Sequence, residues 1–258
     1  MKETLIGARY LVLEQIGAGG EATVFRARDI STGTEVALRL ARQPATHQVA
    51  GSLPPFHTSW LQLLDSGHDA SGGPYQVFEL LDGKTLSQLV ERGPLDRQAW
   101  FVFIQQSLFA VEALHCAGWV HGDLNAENFF LQNTSPGQWK LLELPFLRFT
   151  PPSERSALFG SIHTLAPEQF DGAAASVLSD LYSLGCLYYY AASGGYPHPG
   201  ATAQEIAVSS LRFAPIPLAE KVPDFPAPWN NWVMTLLARE PQKRFSTAAA
   251  AHQLLAVA

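Results

Sequence analysis

The chain has 258 residues, with 17 Lys and Arg against 23 Asp and Glu and a formal net charge of −6. That balance argues against nucleic acid or an anionic membrane as an electrostatic partner. Charged residues make up 16% of the chain, below the roughly 25% usual for soluble domains, which points to apolar surface and a protein partner.

The N-terminal stretch MKETLIGARYLVLEQ carries charges throughout and has no signal-peptide core. No apolar run approaches the ~20 residues of a membrane span. RYLVLEQIGAGG, EATVFRARD and TEVALRL read as strands broken by glycine turns, and STGT reads as a hairpin turn. A segment holding Pro44, Pro54 and Pro55 is too broken for a long helix. WLQLLDSG and PYQVFELLDG are two further strand patterns.

Helical patterns follow. TLSQLVERG has Thr85 as N-cap and Gly93 past its end. LDRQAWFVFIQQSLFAVEALHCAG has Asp96 as cap, Phe101, Ile104, Leu108 and Val111 as its apolar face, and Gly118 as its stop. ASVLSDLYSLGCLYYYAASGG is apolar nearly all round and reads as a buried central helix. A proline-rich connector from Pro215 to Pro228 precedes two terminal helices, the last built on TAAAAHQLLAVA. Cys116 and Cys186 both lie in apolar helical runs. They are expected to be buried, reduced thiols, which fits a cytoplasmic protein.

Seven landmarks punctuate this order: GAGGEATV from Gly17, VALR from Val36, HGDLNAEN from His121, LLELP from Leu141, APE from Ala166, DLYSLG from Asp180 and RF at Arg244. Their types, order and spacing resemble the eukaryotic-like serine/threonine protein kinase domain along almost the whole chain. The resemblance implies an α+β, two-lobed fold in one bilobal domain. Residues 1–82 would form a β-rich N-lobe and residues 83–258 a helical C-lobe. The third helix is expected to be shortened or absent, because Arg39 to His57 is shorter than usual by roughly two turns of ~3.6 residues.

The resemblance also assigns roles. Gly17 and Gly19 would offer bare backbone N–H groups to phosphates, with Ala22 where a third glycine is common; a tight strand turn is the bland alternative. Val24 and Ala37 would roof an adenine ring, Phe130 would form its floor, Phe78 would guard the back, and Glu79 would complete the nucleotide-binding set. Asp123 stands at the position of the base that orients a substrate hydroxyl, and Asn128 at that of a magnesium ligand. Both could equally be structural, bonding loop backbone. His121 would pack in the core. Glu168 and Arg244 match a salt bridge of the large lobe, Asp180 matches an aspartate that holds the catalytic-loop backbone, and the Ser161 hydroxyl could reach Asp123 and Asn125.

Departures from the pattern are concentrated near the nucleotide. Arg39 replaces the phosphate-holding lysine, and no acidic residue lies between Val36 and Leu64 to pair with it. No lysine lies between Glu3 and Gly83 to substitute. Asn125 replaces a second lysine and Gly122 an arginine. Glu143, Leu144 and Pro145 stand where the family has Asp-Phe-Gly; the longer glutamate is a poorer fit to octahedral magnesium, and Pro145 fixes φ.

These losses lead to the expectation of a pseudokinase, a protein-binding, scaffold or regulatory module with little or no phosphoryl transfer and no cofactor. Its contact surfaces would be the shortened third-helix edge and the loop from Leu147 to Gly160. Two alternatives stay open: an atypical phosphotransferase using ATP and Mg or Mn with Asp123, Asn128 and Glu143, and a nucleotide sensor without turnover. The HGDL motif is also similar to small-molecule kinases of the aminoglycoside and choline type, but APE and DLYSLG favour the protein-kinase lineage. An end just past the last helix suggests an excised domain, and the lysine-poor, alanine-rich composition suggests a bacterial source.

Overall fold

The computed structural model describes residues 4–18, 22–41, 56–69, 72–143 and 161–255. Two compact units emerge. One comprises the chain up to Phe56 together with Leu61–Asp82; the other comprises His57–Trp60 and Gly83–Ala258.

The first unit is an antiparallel sheet of six strands in the order β1-β2-β3-β4-β6-β5. The strands are β1 (Leu5–Ile6), β2 (Tyr10–Ala18), β3 (Ala22–Asp29), β4 (Glu35–Ala41), β5 (Leu63–His68) and β6 (Pro74–Glu79). The β3–β4 turn forms at STGT because the Asp29 carboxylate accepts from the Ser31 amide at 2.9 Å, and Gly33 takes φ +75° without a Cβ to oppose it. Alternation buries Tyr10, Ala27, Val36, Leu38, Tyr75 and Val77 on one face. Arg9 clasps Asp29 through Nε at 2.9 Å and Nη2 at 2.7 Å, and this guanidinium holds the Asp29 carboxyl well below the usual carboxylate range.

The second unit is helical. Its helices are α1 (Leu86–Val90), α2 (Arg97–Cys116), α3 (Pro167–Phe170), α4 (Val177–Ser193), α5 (Ala203–Arg212), α6 (Leu218–Lys221), α7 (Ala227–Leu236) and α8 (Ala248–Leu255). Both expected caps are present: Thr85 forms a capping box with Gln88, and the Asp96 carboxylate accepts from the Ala99 amide at 2.8 Å. α4 is buried on every side and forms the axis of the core. α2 lays Trp100, Phe103, Ile104, Leu108, Val111 and Leu114 into that core, each worth about 1.5–3 kcal/mol of burial. The Trp100 and Trp232 indoles donate to the carbonyls of Tyr188 and Ala251, each at 2.8 Å, so neither ring buries an unmet N–H.

The small sheet of β7 (Gly83–Thr85), β8 (Phe129–Gln132) and β9 (Gln138–Leu141) lies outside the strands expected from sequence. α6 occupies part of the stretch taken for a proline-rich connector, and α5 lies just before it in a segment given no element from sequence. His57–Trp60, although N-terminal to Asp82, joins this unit: Trp60 Nε1 donates to the Ala110 carbonyl at 2.9 Å, and the Leu141 amide donates to the Ser59 carbonyl at 2.8 Å.

Two expectations need correction here. Cys116 ends α2 exposed, whereas Cys186 is buried; both are free thiols. Phe101 is half-buried at the flank of α2, where it stacks on Trp229 with centroids 5.5 Å apart, and Trp100 takes the core position instead. Within the Arg39 to His57 segment expected to hold a shortened or absent third helix, residues 42–55 lie outside the described residues, as does the loop from Leu147 to Gly160. No helix among the described residues is long and apolar enough to cross a membrane.

Candidate functional site

The loop between α2 and β8 is held from below by one carboxylate on α4. Asp180 Oδ2 accepts from the His121 amide at 2.8 Å and Oδ1 from the Gly122 amide at 2.9 Å. His115 Nε2, in the last turn of α2, reaches the same Oδ2 at 2.9 Å. One buried acid thus ties α2, the loop and α4 together. Gly122 sits at φ +76°, a left-handed conformation that glycine adopts freely.

His121 is buried, and burial lowers its pKa from the ordinary value. Its Nδ1 accepts from the Asp123 amide and its Nε2 faces the Leu142 carbonyl, each at 3.3 Å. A neutral ring protonated on Nε2 satisfies both contacts.

Asp123 is held with one carboxylate oxygen engaged. Oδ1 accepts from Asn125 Nδ2 at 3.0 Å and from the Ser161 amide at 3.1 Å. It is therefore the Ser161 main chain, not its hydroxyl, that bonds Asp123. The Asn125 carboxamide is fixed in orientation because its Oδ1 accepts from the Glu127 amide at 2.9 Å. Asn128, 3% exposed, donates through Nδ2 to the Asp123 carbonyl at 2.8 Å, which leaves its Oδ1 as the acceptor end. Glu143 follows β9 with φ +60°, exposed, at the edge of the same cleft.

Asn125, Asn128, Glu143 and Ser161 line one cavity of about 350 Å³, joined by Ser87, Glu127 and Tyr196. The last three were not found from sequence. Tyr196 stacks between His163 (4.6 Å) and Tyr190 (4.4 Å), making one wall of parallel rings. It sits in the turn after α4, where no periodicity marks it. His115 was missed too, although a basic residue in a last helical turn is a recognisable signal.

In the sheet unit the register aligns Gly17, Val24, Arg39 and Gln76 in one row across four strands, with Ala37 paired to Phe78 two rows along. Arg39 Nη1 donates to Gln76 Oε1 at 3.3 Å. Glu79 Oε1 accepts from the Gln62 amide at 3.0 Å. Phe130 is half-buried on β8, paired with Thr85 and Lys140, while its neighbour Phe129 enters the core. Gly19, Leu144 and Pro145 lie outside the described residues.

Glu168 and Arg244 form a two-pronged pair, with Nη1–Oε1 and Nη2–Oε2 both 2.7 Å. The guanidinium also donates to the Ala238 and Leu178 carbonyls and lies 4.8 Å from the centre of the Tyr182 ring.

Burial also keeps His198 neutral, moving it from 6.5 down to about 4, beside Ser209 Oγ at 3.1 Å. The unfolded chain therefore takes up the proton first, and stability present above pH 6.5 is lost as pH falls towards 4. The shift corresponds to about 3 kcal/mol at most. The thermal midpoint should fall across that range, and His198→Gln should flatten part of the slope. An unchanged slope in the variant would mean His198 contributes nothing to it.

The family model described as protein kinase domain matches residues 10–256. Curated relatives include the serine/threonine-protein kinase PknL of Mycobacterium tuberculosis, 31% identical over 97% of this chain and 65% of its own length. PknB of Mycobacterium leprae is 30% identical over 93% of this chain and 41% of its own. The kinase pkn2 of Myxococcus xanthus is 28% identical over 97% and 33%. This chain thus spans only part of the length of these relatives. The matches run nearly end to end against proteins named as serine/threonine kinases, and they overturn the expectation of a non-catalytic pseudokinase. Substitutions at single motif positions do not remove the chain from an enzymatic family. The chain belongs to the protein kinase domain family.

Proposed function

We propose that this chain transfers the γ-phosphate of ATP to serine or threonine hydroxyls of protein substrates. The observation that carries the reading is the state of Asp123. Two N–H donors fix Oδ1, and among the described residues Oδ2 has no partner, so it is the oxygen available to a substrate hydroxyl. As the hydroxyl oxygen bonds the γ-phosphorus and the bond to ADP breaks, Oδ2 accepts the hydroxyl proton.

The residues present fit a magnesium or manganese ion. The Asn128 carboxamide oxygen and the Glu143 carboxylate are hard oxygen donors on one cavity, with phosphates and water left to complete the shell. Such an ion supplies neutralisation of phosphate charge. Among the described residues that line the cavity there is no lysine or arginine.

The test is to incubate the chain with labelled ATP, Mg or Mn, and a serine/threonine peptide mixture, following label into peptide by mass spectrometry. Metal-dependent phosphoserine or phosphothreonine is the expected result. Nucleotide binding by calorimetry without any transfer in either metal would overturn the proposal.

A further inference from the structure

The helical unit holds a second cavity, of about 280 Å³, which shares no lining residue with the cleft at Asn125 and Asn128. Pro167, Tyr182, Pro215, Met234 and Leu237 give it apolar walls. Small-molecule sites usually run about 300–1,000 Å³, so this one lies at the small end and has room for one large side chain. Its polar groups are already paired: Tyr182 Oη and Ser210 Oγ meet at 3.3 Å, and His198 bonds Ser209. Nothing inside asks for a polar ligand. Met234 gives one wall that can adapt to the shape of its occupant.

The rim has the opposite character. Arg212 and Arg239, both exposed, flank the opening, and among the described residues no carboxylate lines it. Arg239 is braced by donating Nη1 to the Leu211 carbonyl at 2.8 Å, and the Arg212 side chain has no hydrogen-bond or ion-pair partner among the described residues. Both cations sit at the C-terminal end of α5, Arg212 in its last turn and Arg239 on its Leu211 carbonyl, where the helix dipole favours them, and together they make a positive mouth in a chain of net charge −6. Phe213, 63% exposed, stands beside them.

The geometry points to a docking site for a linear segment of a partner protein, in which one large apolar side chain enters the cavity and neighbouring Asp or Glu side chains meet Arg212 and Arg239. The apolar anchor supplies the affinity and the rim charges select the partner. Binding is independent of phosphoryl transfer.

The test is to pan a random linear peptide library displayed on phage against the whole chain, synthesise the enriched sequences and titrate them by fluorescence anisotropy. Enrichment of a large apolar residue beside Asp or Glu is expected, with affinity that weakens as salt rises. Arg212→Glu/Arg239→Glu should weaken binding by about tenfold or more. Phe213→Ala, an exposed change that leaves the fold intact, should weaken it independently. No enrichment, enrichment of neutral or basic peptides, or affinities unmoved in folded double variant and Phe213→Ala alike would overturn the proposal.

Discussion

Asp123→Asn should lower kcat for peptide phosphorylation by about 10²–10⁴-fold while nucleotide binding stays within a factor of a few. The substitution keeps the side-chain shape and an oxygen for Asn125 Nδ2 and the Ser161 amide, at 3.0 and 3.1 Å in the parent. It replaces Oδ2, the oxygen proposed to take the hydroxyl proton, with an NH₂ that cannot take one. The loop itself should persist, since Asp180 holds the amides of His121 and Gly122 rather than anything on Asp123. Quench-flow turnover and calorimetric ATP titration together check it. A variant that retains full kcat would remove Asp123 as the base. One that loses ATP binding equally would show that its charge acts through the metal instead.

Much of this architecture is legible in the sequence because its causes are local. Thr85 and Asp96 announce their helices through capping chemistry three residues away, and alternation in β4 marks its buried face. Glu168, Asp180 and Arg244 have no local signal of this kind, and their roles come from the family resemblance alone. The strands β7 and β9 are too short to carry a period, and α5 is obscured by the prolines that follow it. Cys116 sits two residues, roughly 200° of helix rotation, from core-facing Leu114, so an apolar run alone misplaced it. The Ser161 contact is made by a main-chain N–H, which no residue type signals. Asn125 illustrates why the functional reading went astray. Against a lysine template it counts as a loss, yet in the fold its carboxamide orients Asp123 and satisfies the Glu127 amide.

Arg244→Met should destabilise the helical unit by about 3–5 kcal/mol, because it strands a partner of a buried ion pair. The Arg244 side chain is 0% exposed and Glu168 19%, so water can rescue the orphaned carboxylate only in part. The same change removes donors from the carbonyls of Ala238 and Leu178, both met at 2.8 Å, and of Arg239 at 3.2 Å. At about 2–4 °C per kcal/mol for a chain of this size, the thermal midpoint should fall by roughly 10 °C. Arg244→Lys should recover little, since one ammonium cannot reproduce a two-pronged carboxylate contact and the carbonyl bonds together. Glu168→Leu/Arg244→Met should be milder than Arg244→Met alone, since no charge is left unpaired. A midpoint within a degree or two of the parent for Arg244→Met would show that the pair is ornamental. The pair also fixes α3, and the segment before it carries Ser161, with Thr164 Oγ1 donating to the Ser161 carbonyl at 3.1 Å and Ser183 Oγ to the Thr164 carbonyl at 2.8 Å. At temperatures where Arg244→Lys remains folded, kcat should therefore drop with little change in the KM for ATP, because what loosens is the amide that orients Asp123.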